Sequence, residues 1–176
     1  LGNATIGNNN IALGNSALGL GDPPGPNIAI GVLALYNCIE SDNTAVGHNA
    51  LQALTSGYDN VAFGNSAGVN VTVATRCVLL GKSAANNLTI GSSNTIVGCS
   101  AGSNLTTGIN NVLLGYAANT TANNTDNAIA IGNNVVAGTN QVVIGNASHT
   151  LLKLPTGIVK SYADNATFSD PAFSNL

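Results

Sequence analysis

Short apolar runs recur along the chain, and each run ends at a glycine that is followed by small or polar residues. The runs are three residues long, as in Ile11-Ala-Leu13 and Val112-Leu-Leu114. The spacings between the closing glycines are 17, 16, 17, 17, 17, 17 and 17 for Gly14, Gly31, Gly47, Gly64, Gly81, Gly98, Gly115 and Gly132. A fixed period of this kind predicts a stack of repeats.

Two more positions keep the same register. The residue four before the glycine is asparagine in most units, namely Asn10, Asn27, Asn43, Asn60, Asn94 and Asn111, with Cys77 and Ala128 as exceptions. The third residue after the glycine is alanine in all units except the last, which has Val135. Shorter units close at Gly7 and Gly145, so the repeats occupy residues 1–150. Residues 151–176 lose the period, and we expect them to form a cap or connector.

Each unit contains two candidate strands separated by turns. The first is the apolar triplet, and the second lies near Leu54, at 71–73, at 88–90 and at 105–107. Asn, Gly, Ser and Thr between them favour turns, and no helical stripe persists. Since one unit cannot bury itself, the sequence predicts an all-β parallel β-solenoid or β-roll. It would have about eight turns spaced about 4.8 Å apart, a rod on the order of 40 Å long. Asparagines at equivalent corners would form side-chain ladders along it.

The first strand is apolar on both faces. Its outer positions include Ile28, Ile30 and Phe63, and its middle positions include Ala62 and Leu79. Strands with this pattern are buried on both sides. Side chains on one face would fill the interior of the roll. Those on the other face would need another apolar surface to pack against, and a chain without helices does not supply one. We therefore expect oligomerisation through these strands.

Composition narrows the classes of function. The chain has 28 Asn and 21 Gly, only 6% charged residues, 4 Lys+Arg and a net charge of -3. Nucleic-acid binding normally needs a basic surface, so we expect no nucleic-acid partner. No apolar run approaches the length of a membrane span, and no basic segment followed by an apolar stretch opens the chain. We therefore expect neither membrane insertion nor a signal peptide. Low charge suits a stack, because identical charges about 4.8 Å apart would repel each other.

Catalytic and metal motifs are explained by the repeat. Gly64-Asn-Ser-Ala-Gly68 and Gly98-Cys-Ser-Ala-Gly102 match the G-x-S-x-G elbow of hydrolases, but every unit places small residues there. Lys82 follows a repeat glycine without the upstream glycine of a phosphate loop. The acidic residues lack calcium-loop spacing. We predict no catalytic, cofactor-binding or metal residues, no cofactor and no enzyme activity.

The three cysteines occupy different positions of the unit. Cys38, Cys77 and Cys99 are separated by 39 and 22 residues, which matches no zinc or redox motif. We interpret them as small, buried or half-buried residues.

N-x-[ST] triplets occur at several asparagines, as expected for a chain rich in Asn, Ser and Thr. Two of these asparagines, Asn104 and Asn119, lie in predicted turns. They are the candidate glycosylation acceptors if the chain passes through a eukaryotic secretory pathway.

The units at 43–51 and 60–68, with Leu54-Thr-Ser-Gly57 between them, resemble the head repeats of trimeric autotransporter adhesins. They are even more similar to the longer repeats of phage and large-virus fibre proteins, and the resemblance covers residues 3 to about 150. It implies a left-handed roll, three copies around one axis and a role in attachment.

This resemblance therefore implies an extracellular, non-enzymatic fibre segment of a virus or phage at the virion or cell surface. Its partners would be two further copies and an unidentified host receptor or glycan. Candidate receptor contacts are His48, Tyr58 and Tyr116, with the loop around Pro23, which interrupts the pattern at 19–26. The alternatives are the head of a bacterial adhesin and an ice- or surface-binding solenoid, which would need an outward threonine array.

Overall fold

The computed structural model describes residues 9–20 and 23–148, and it contains β-strands but no helix within these ranges. The first seven strands are β1 (Ile11–Leu13), β2 (Ile28–Ile30), β3 (Thr44–Val46), β4 (Val61–Phe63), β5 (Val78–Leu80), β6 (Thr95–Val97) and β7 (Val112–Leu114). They are followed by β8 (Asn119–Thr120), β9 (Ile129–Ile131), β10 (Val136–Ala137) and β11 (Val142–Ile144).

Nine of these strands form one parallel sheet in the order β1-β2-β3-β4-β5-β6-β7-β9-β11. Each strand pairs with its equivalent in the next unit, without a register shift, so that Val61 lies beside Val78 and Ala62 beside Leu79. The two-residue strands β8 and β10 pair separately. The chain is therefore a parallel β-solenoid of about eight turns of roughly 17 residues, as predicted.

The interior of the solenoid is filled by one residue of each strand and by residues of the turns. The middle strand residues point inward, and from β2 onward Ala29, Ala45, Ala62, Leu79, Ile96, Leu113 and Ala130 are fully buried. They meet Leu54, Val71, Leu88 and Leu105 from the opposite wall. The alanines that follow the repeat glycines, such as Ala67 and Ala84, are also buried. Their small size lets the chain turn close to the core.

The prediction of a second strand in each unit is wrong for most turns. The segments around Leu54, Val71, Leu88 and Leu105 are stacked bends. Adjacent turns make an isolated bond there, such as Thr72 N–H to the Thr89 carbonyl at 2.8 Å. Left-handed residues on both sides of each bend keep the backbone from staying extended. Apolar residues at these positions mark the inner wall, which does not require strands.

Each strand ends at a glycine because no side chain fits there. Gly81 has a φ of 134°, and a Cβ atom on it would lie 2.5 Å from the carbonyl oxygen of Gly98 in the next turn. The backbones of neighbouring turns touch at this corner, and the left-handed conformation is costly for other residues.

The loop around Pro23, named above as a candidate receptor contact, lies only partly on the surface. Pro23 is buried, and its carbonyl accepts a hydrogen bond from Asn10 Nδ2 at 3.1 Å. The neighbouring Pro24 and Pro26 are exposed. Residues 151–176, predicted to be a cap or connector, and the unit that closes at Gly7 lie outside the described residues.

Candidate assembly face

The outer face of the nine-stranded sheet is the most prominent surface of the described chain. In every strand the first and third residues point outward and are exposed or half-buried. We call these residues the apolar strip: Ile11, Leu13, Ile28, Ile30, Thr44, Val46, Val61, Phe63, Val78, Leu80, Thr95, Val97, Val112, Leu114, Ile129, Ile131, Val142 and Ile144. None of them is charged, and only Thr44 and Thr95 are polar.

The apolar strip is long, narrow and regular. Nine strands spaced about 4.8 Å apart give a length of about 38 Å, and three extended residues give a width of about 10 Å. Large side chains stand well out of it, as shown by exposed fractions of 60% for Phe63 and 65% for Leu13. The strip is thus a contiguous exposed apolar patch on the order of 400 Å².

A buried asparagine ladder holds the strands of the strip in register. The side chains of Asn27, Asn43 and Asn60 are inside the roll. The Oδ1 atom of Asn43 accepts hydrogen bonds from the backbone N–H of Asn60 at 3.2 Å and from its Nδ2 at 3.0 Å. The Nδ2 of Asn43 donates to the Gly57 carbonyl at 2.9 Å. The carboxamide of Asn43 therefore contacts the next unit twice, at the residue that begins its strand segment and at the bend before that strand, which confirms the predicted ladder.

The ladder is interrupted at Cys77. Its backbone N–H donates to Asn60 Oδ1, and its thiol contacts the Gly91 carbonyl at 3.4 Å. The thiol thus takes the place of the amide donor, but no carboxamide oxygen faces the next unit. The ladder resumes at Asn94, whose Oδ1 accepts from the backbone N–H of Asn111 at 2.9 Å.

The three candidate receptor residues are exposed but lie apart. His48 and Tyr116 both follow a repeat glycine, at the corner where the chain leaves the strip. They are four turns apart, which corresponds to about 19 Å along the rod. Tyr58 precedes strand β4 and lies at the opposite corner. The structure therefore does not bring these side chains into one site.

The corner position after the repeat glycine faces solvent. Asn65, Lys82 and Cys99 occupy the same position as His48 and Tyr116, and all five are exposed. Neighbouring turns have unrelated side chains at this position, so the residue type here can change without disturbing the core.

The two candidate glycosylation acceptors differ in accessibility. Asn104 is exposed, and its Nδ2 donates to the Thr120 carbonyl at 3.2 Å. Asn119 lies in strand β8 and not in the predicted turn, it is 8% exposed, and its Nδ2 donates to Ser103 Oγ at 2.8 Å. Its Oδ1 accepts from the backbone N–H of Asn104 and of Thr120. A glycan on Asn119 would need this buried amide to leave its partners, so Asn104 is the better acceptor.

The G-x-S-x-G segments form corners rather than a hydrolase elbow. Ser66 and Ser100 have left-handed backbones, and Ser66 Oγ donates to the adjacent Asn65 Oδ1 at 3.0 Å. Both serines lie at the turn that follows each strand of the strip. Within residues 9–20 and 23–148, no group of three or more His, Cys, Asp or Glu side chains is placed to hold a metal ion. The same part of the chain has no helix that could span a membrane.

Two of the cysteines are buried, as predicted, and the third is not. Cys38 takes the place of a core leucine and Cys77 that of a ladder asparagine, whereas Cys99 is exposed at a corner. Burial away from water raises the pKa of the Cys38 and Cys77 thiols above the ordinary value of 9.0. These two thiols serve as small core groups.

The chain matches no known family profile, no curated protein and no solved structure. Sequence reasoning had described the strip by its apolar members. It overlooked the two threonines, although a polar residue in an otherwise apolar row is visible in the aligned units.

Proposed function

We propose that this chain is a structural, non-enzymatic segment of an extracellular attachment fibre of a virus or phage. Three copies would join through the apolar strip with a left-handed roll, forming a rigid rod that serves as a spacer and presents receptor contacts. The observation that carries this proposal is the uncharged strip along all nine strands of the sheet. The number of copies, the hand of the roll and the viral setting come from the resemblance of the repeats to fibre and adhesin heads.

The regularity of the strip supports another copy of this chain as its cover. Its levels repeat every 4.8 Å or so, and a second copy presents side chains at the same spacing. Rows of Val, Ile and Leu can therefore interdigitate level by level along the whole rod. A partner with a different period would match the strip at a few levels only.

The outer surface favours a spacer over an ice-binding solenoid. The threonines in register on the opposite wall donate their hydroxyls to the next turn, Thr72 to the Thr89 carbonyl and Thr89 to the Thr106 carbonyl. These hydroxyls are hydrogen-bonded within the chain, so they do not form a free outward array of the kind an ice-binding surface needs. The head of a bacterial adhesin remains the second candidate, since its repeats would use the same strip in the same way.

Sedimentation equilibrium of the full chain in native buffer tests the assembly. We expect a single species of three times the chain mass of 17.4 kDa. A stable monomer would rule out the fibre proposal, and a dimer would retain the strip as an interface but reject the three-copy arrangement.

Attachment requires a separate test with the assembled protein. We expect binding to a cell surface or a glycan array to fall when a contact residue is replaced. Because His48, Tyr58 and Tyr116 do not share one site, each should be replaced by alanine separately. Unchanged binding by all three variants would exclude them as contacts, and an array and cell panel without any binding would favour a pure spacer.

A further inference from the structure

Thr44 and Thr95 are out of place on the apolar strip. Both are the first residue of their strands, β3 and β6, and both point outward from the roll. Their neighbours in the same row are valines and isoleucines, such as Val61 next to Thr44 and Val78 next to Thr95. Valine has nearly the shape of threonine and suits a strand, so packing alone does not call for hydroxyls here.

The hydroxyls of these two residues have no hydrogen-bond partner among residues 9–20 and 23–148. The threonines on the opposite wall differ, since the hydroxyls of Thr72, Thr89 and Thr106 all donate to carbonyls of the next turn. In a single chain these hydroxyls lie on the outer face, where Thr95 is exposed and Thr44 is half-buried. Once the strip is covered, each needs a partner from another copy, because a buried hydroxyl without one costs about 1–3 kcal/mol.

We infer that Thr44 and Thr95 determine the register of the assembled copies, which lie parallel with equivalent strands at the same level. This inference rests on the proposed assembly through the strip. In that arrangement Thr44 meets Thr44 and Thr95 meets Thr95, so both hydroxyls find partners while all nine levels overlap. A parallel shift by one level would place Thr44 at the level of β2 or β4, and neither strand carries an outward threonine.

Antiparallel packing satisfies the hydroxyls less well. With full overlap, β3 would face β7 and β6 would face β4, so each threonine would meet an apolar strand. An antiparallel arrangement offset by one level brings Thr44 opposite Thr95, but it leaves one end strand of each copy uncovered. It also closes with two copies only. The parallel arrangement covers every level and accepts three.

Polar residues in apolar interfaces have this role elsewhere, because they penalise arrangements in which they are left without a partner. The matched variants here are Thr44→Val with Thr95→Val, which removes the hydroxyls and keeps the shape. Thr44→Ser with Thr95→Ser keeps the hydroxyls. The oligomer of the valine variant should be at least as stable as that of the parent, but its copies should no longer share one fixed register.

Spin-label distances measured on the full-length oligomer test the inference. The background carries Cys99→Ser, and single labels are introduced by Asn15→Cys or Asn133→Cys, both at exposed corners. Labels on Asn133→Cys should share one level in the parallel arrangement, whereas the offset antiparallel one separates them along the rod by about 34 Å. A mixture of chains labelled at position 15 and chains labelled at position 133 gives the distance between these two labels on different copies.

We expect one narrow same-level distance for the parent and the serine pair, and a broadened or multiple distribution for the valine pair. An antiparallel or shifted distance in the parent would overturn the inference, and so would a valine pair with the same narrow distribution as the parent. A monomer in the sedimentation experiment would instead reject the proposed assembly itself, so the two failures are distinguishable.

Discussion

Asn60 and Cys77 meet inside the roll, where the Oδ1 of Asn60 accepts a hydrogen bond from the backbone N–H of Cys77 at 3.1 Å. Both side chains are fully buried at equivalent positions of adjacent turns. The carboxamide oxygen of Asn60 accepts from the next unit, whereas Cys77 offers the N–H of Asn94 only its sulfur, a weaker acceptor. The ladder that aligns the strip therefore consists of two segments joined at a weaker level.

Replacement of Cys77 by asparagine should stabilise the chain. The new carboxamide would retain the donor to the Gly91 carbonyl and replace the weak sulfur acceptor of the Asn94 N–H by an oxygen, a gain of about 1 kcal/mol. Asparagine already fits this position in the turns on either side. Urea unfolding at fixed protein concentration would measure the gain. The control Cys77→Ala, which lacks both groups, should be less stable than the parent. An asparagine variant that unfolds at lower urea than the parent would contradict the prediction.

Removal of an intact ladder residue should have the opposite effect. Asn111 donates to Asn94 Oδ1 at 3.0 Å and to the Thr125 carbonyl at 2.8 Å, and it accepts from the Ala128 N–H at 2.8 Å. Asn111→Leu would leave these buried groups without partners and should cost about 3 kcal/mol of unfolding free energy. The same urea assay on Asn124→Ala, at an exposed asparagine, should show almost no change. Equal stability of the two variants would show that the ladder contributes nothing.

The ladder and the parallel stack could be predicted from sequence because each depends on a residue type that recurs at a fixed period. Asn60 and Gly64 have few alternatives, since one supplies donor and acceptor at a buried corner and the other avoids a backbone clash. The second strand could not be predicted correctly. Val71, Leu88 and Leu105 alternate with polar residues as strand residues do, but left-handed bends put the same side chains into the core.

The candidate receptor contacts show another limit of sequence reasoning. His48 and Tyr116 are exposed corner residues, at a position where the units carry unrelated side chains. The 17-residue period already places them four turns apart, whereas the side on which Tyr58 lies depends on the course of the bends. The sequence also does not show that the hydroxyls of Thr72, Thr89 and Thr106 are hydrogen-bonded to the next turn whereas those of Thr44 and Thr95 are not.

The glycine corner should be intolerant of any side chain. In Gly81→Ala the new Cβ would lie 2.5 Å from the Gly98 carbonyl oxygen, at a φ of 134° that L-residues avoid. The clash involves backbone on both sides, so we expect a loss of about 3 kcal/mol or failure to fold. In Gly138→Ala the nearest atom would be the flexible Gln141 side chain, at 3.0 Å, and the loss should be smaller. Thermal unfolding would rank the two variants, and the reverse order would contradict the close approach of the turns.

The buried thiols should make stability fall in alkaline solution. Burial raises the pKa of Cys38 and Cys77 in the folded chain above 9.0, the value at which the unfolded thiols ionise. The two protonated thiols thus contribute fully to the free energy of unfolding below about pH 9. This contribution is lost as the pH rises through their pKa values in the folded chain, because the unfolded state then binds fewer protons than the folded state. The urea midpoint should drop more between pH 8 and pH 10 in the parent than in Cys38→Ala with Cys77→Asn. Cys99→Ser, at the exposed cysteine, should keep the full drop, and an identical pH profile for all three proteins would contradict the assignment.

A single charge on the strip should separate the copies. Leu80 ends strand β5 near the middle of the strip and points outward, so Leu80→Asp leaves the interior of the roll unchanged. Assembly would bury the carboxylates close together without a cationic partner, which costs several kcal/mol. We expect a folded monomer of about 17.4 kDa by light scattering, with the circular dichroism of the parent. Asn65→Asp adds the same charge at an exposed corner and should assemble like the parent. A Leu80→Asp protein with the mass of the parent oligomer would show that the copies meet through another surface.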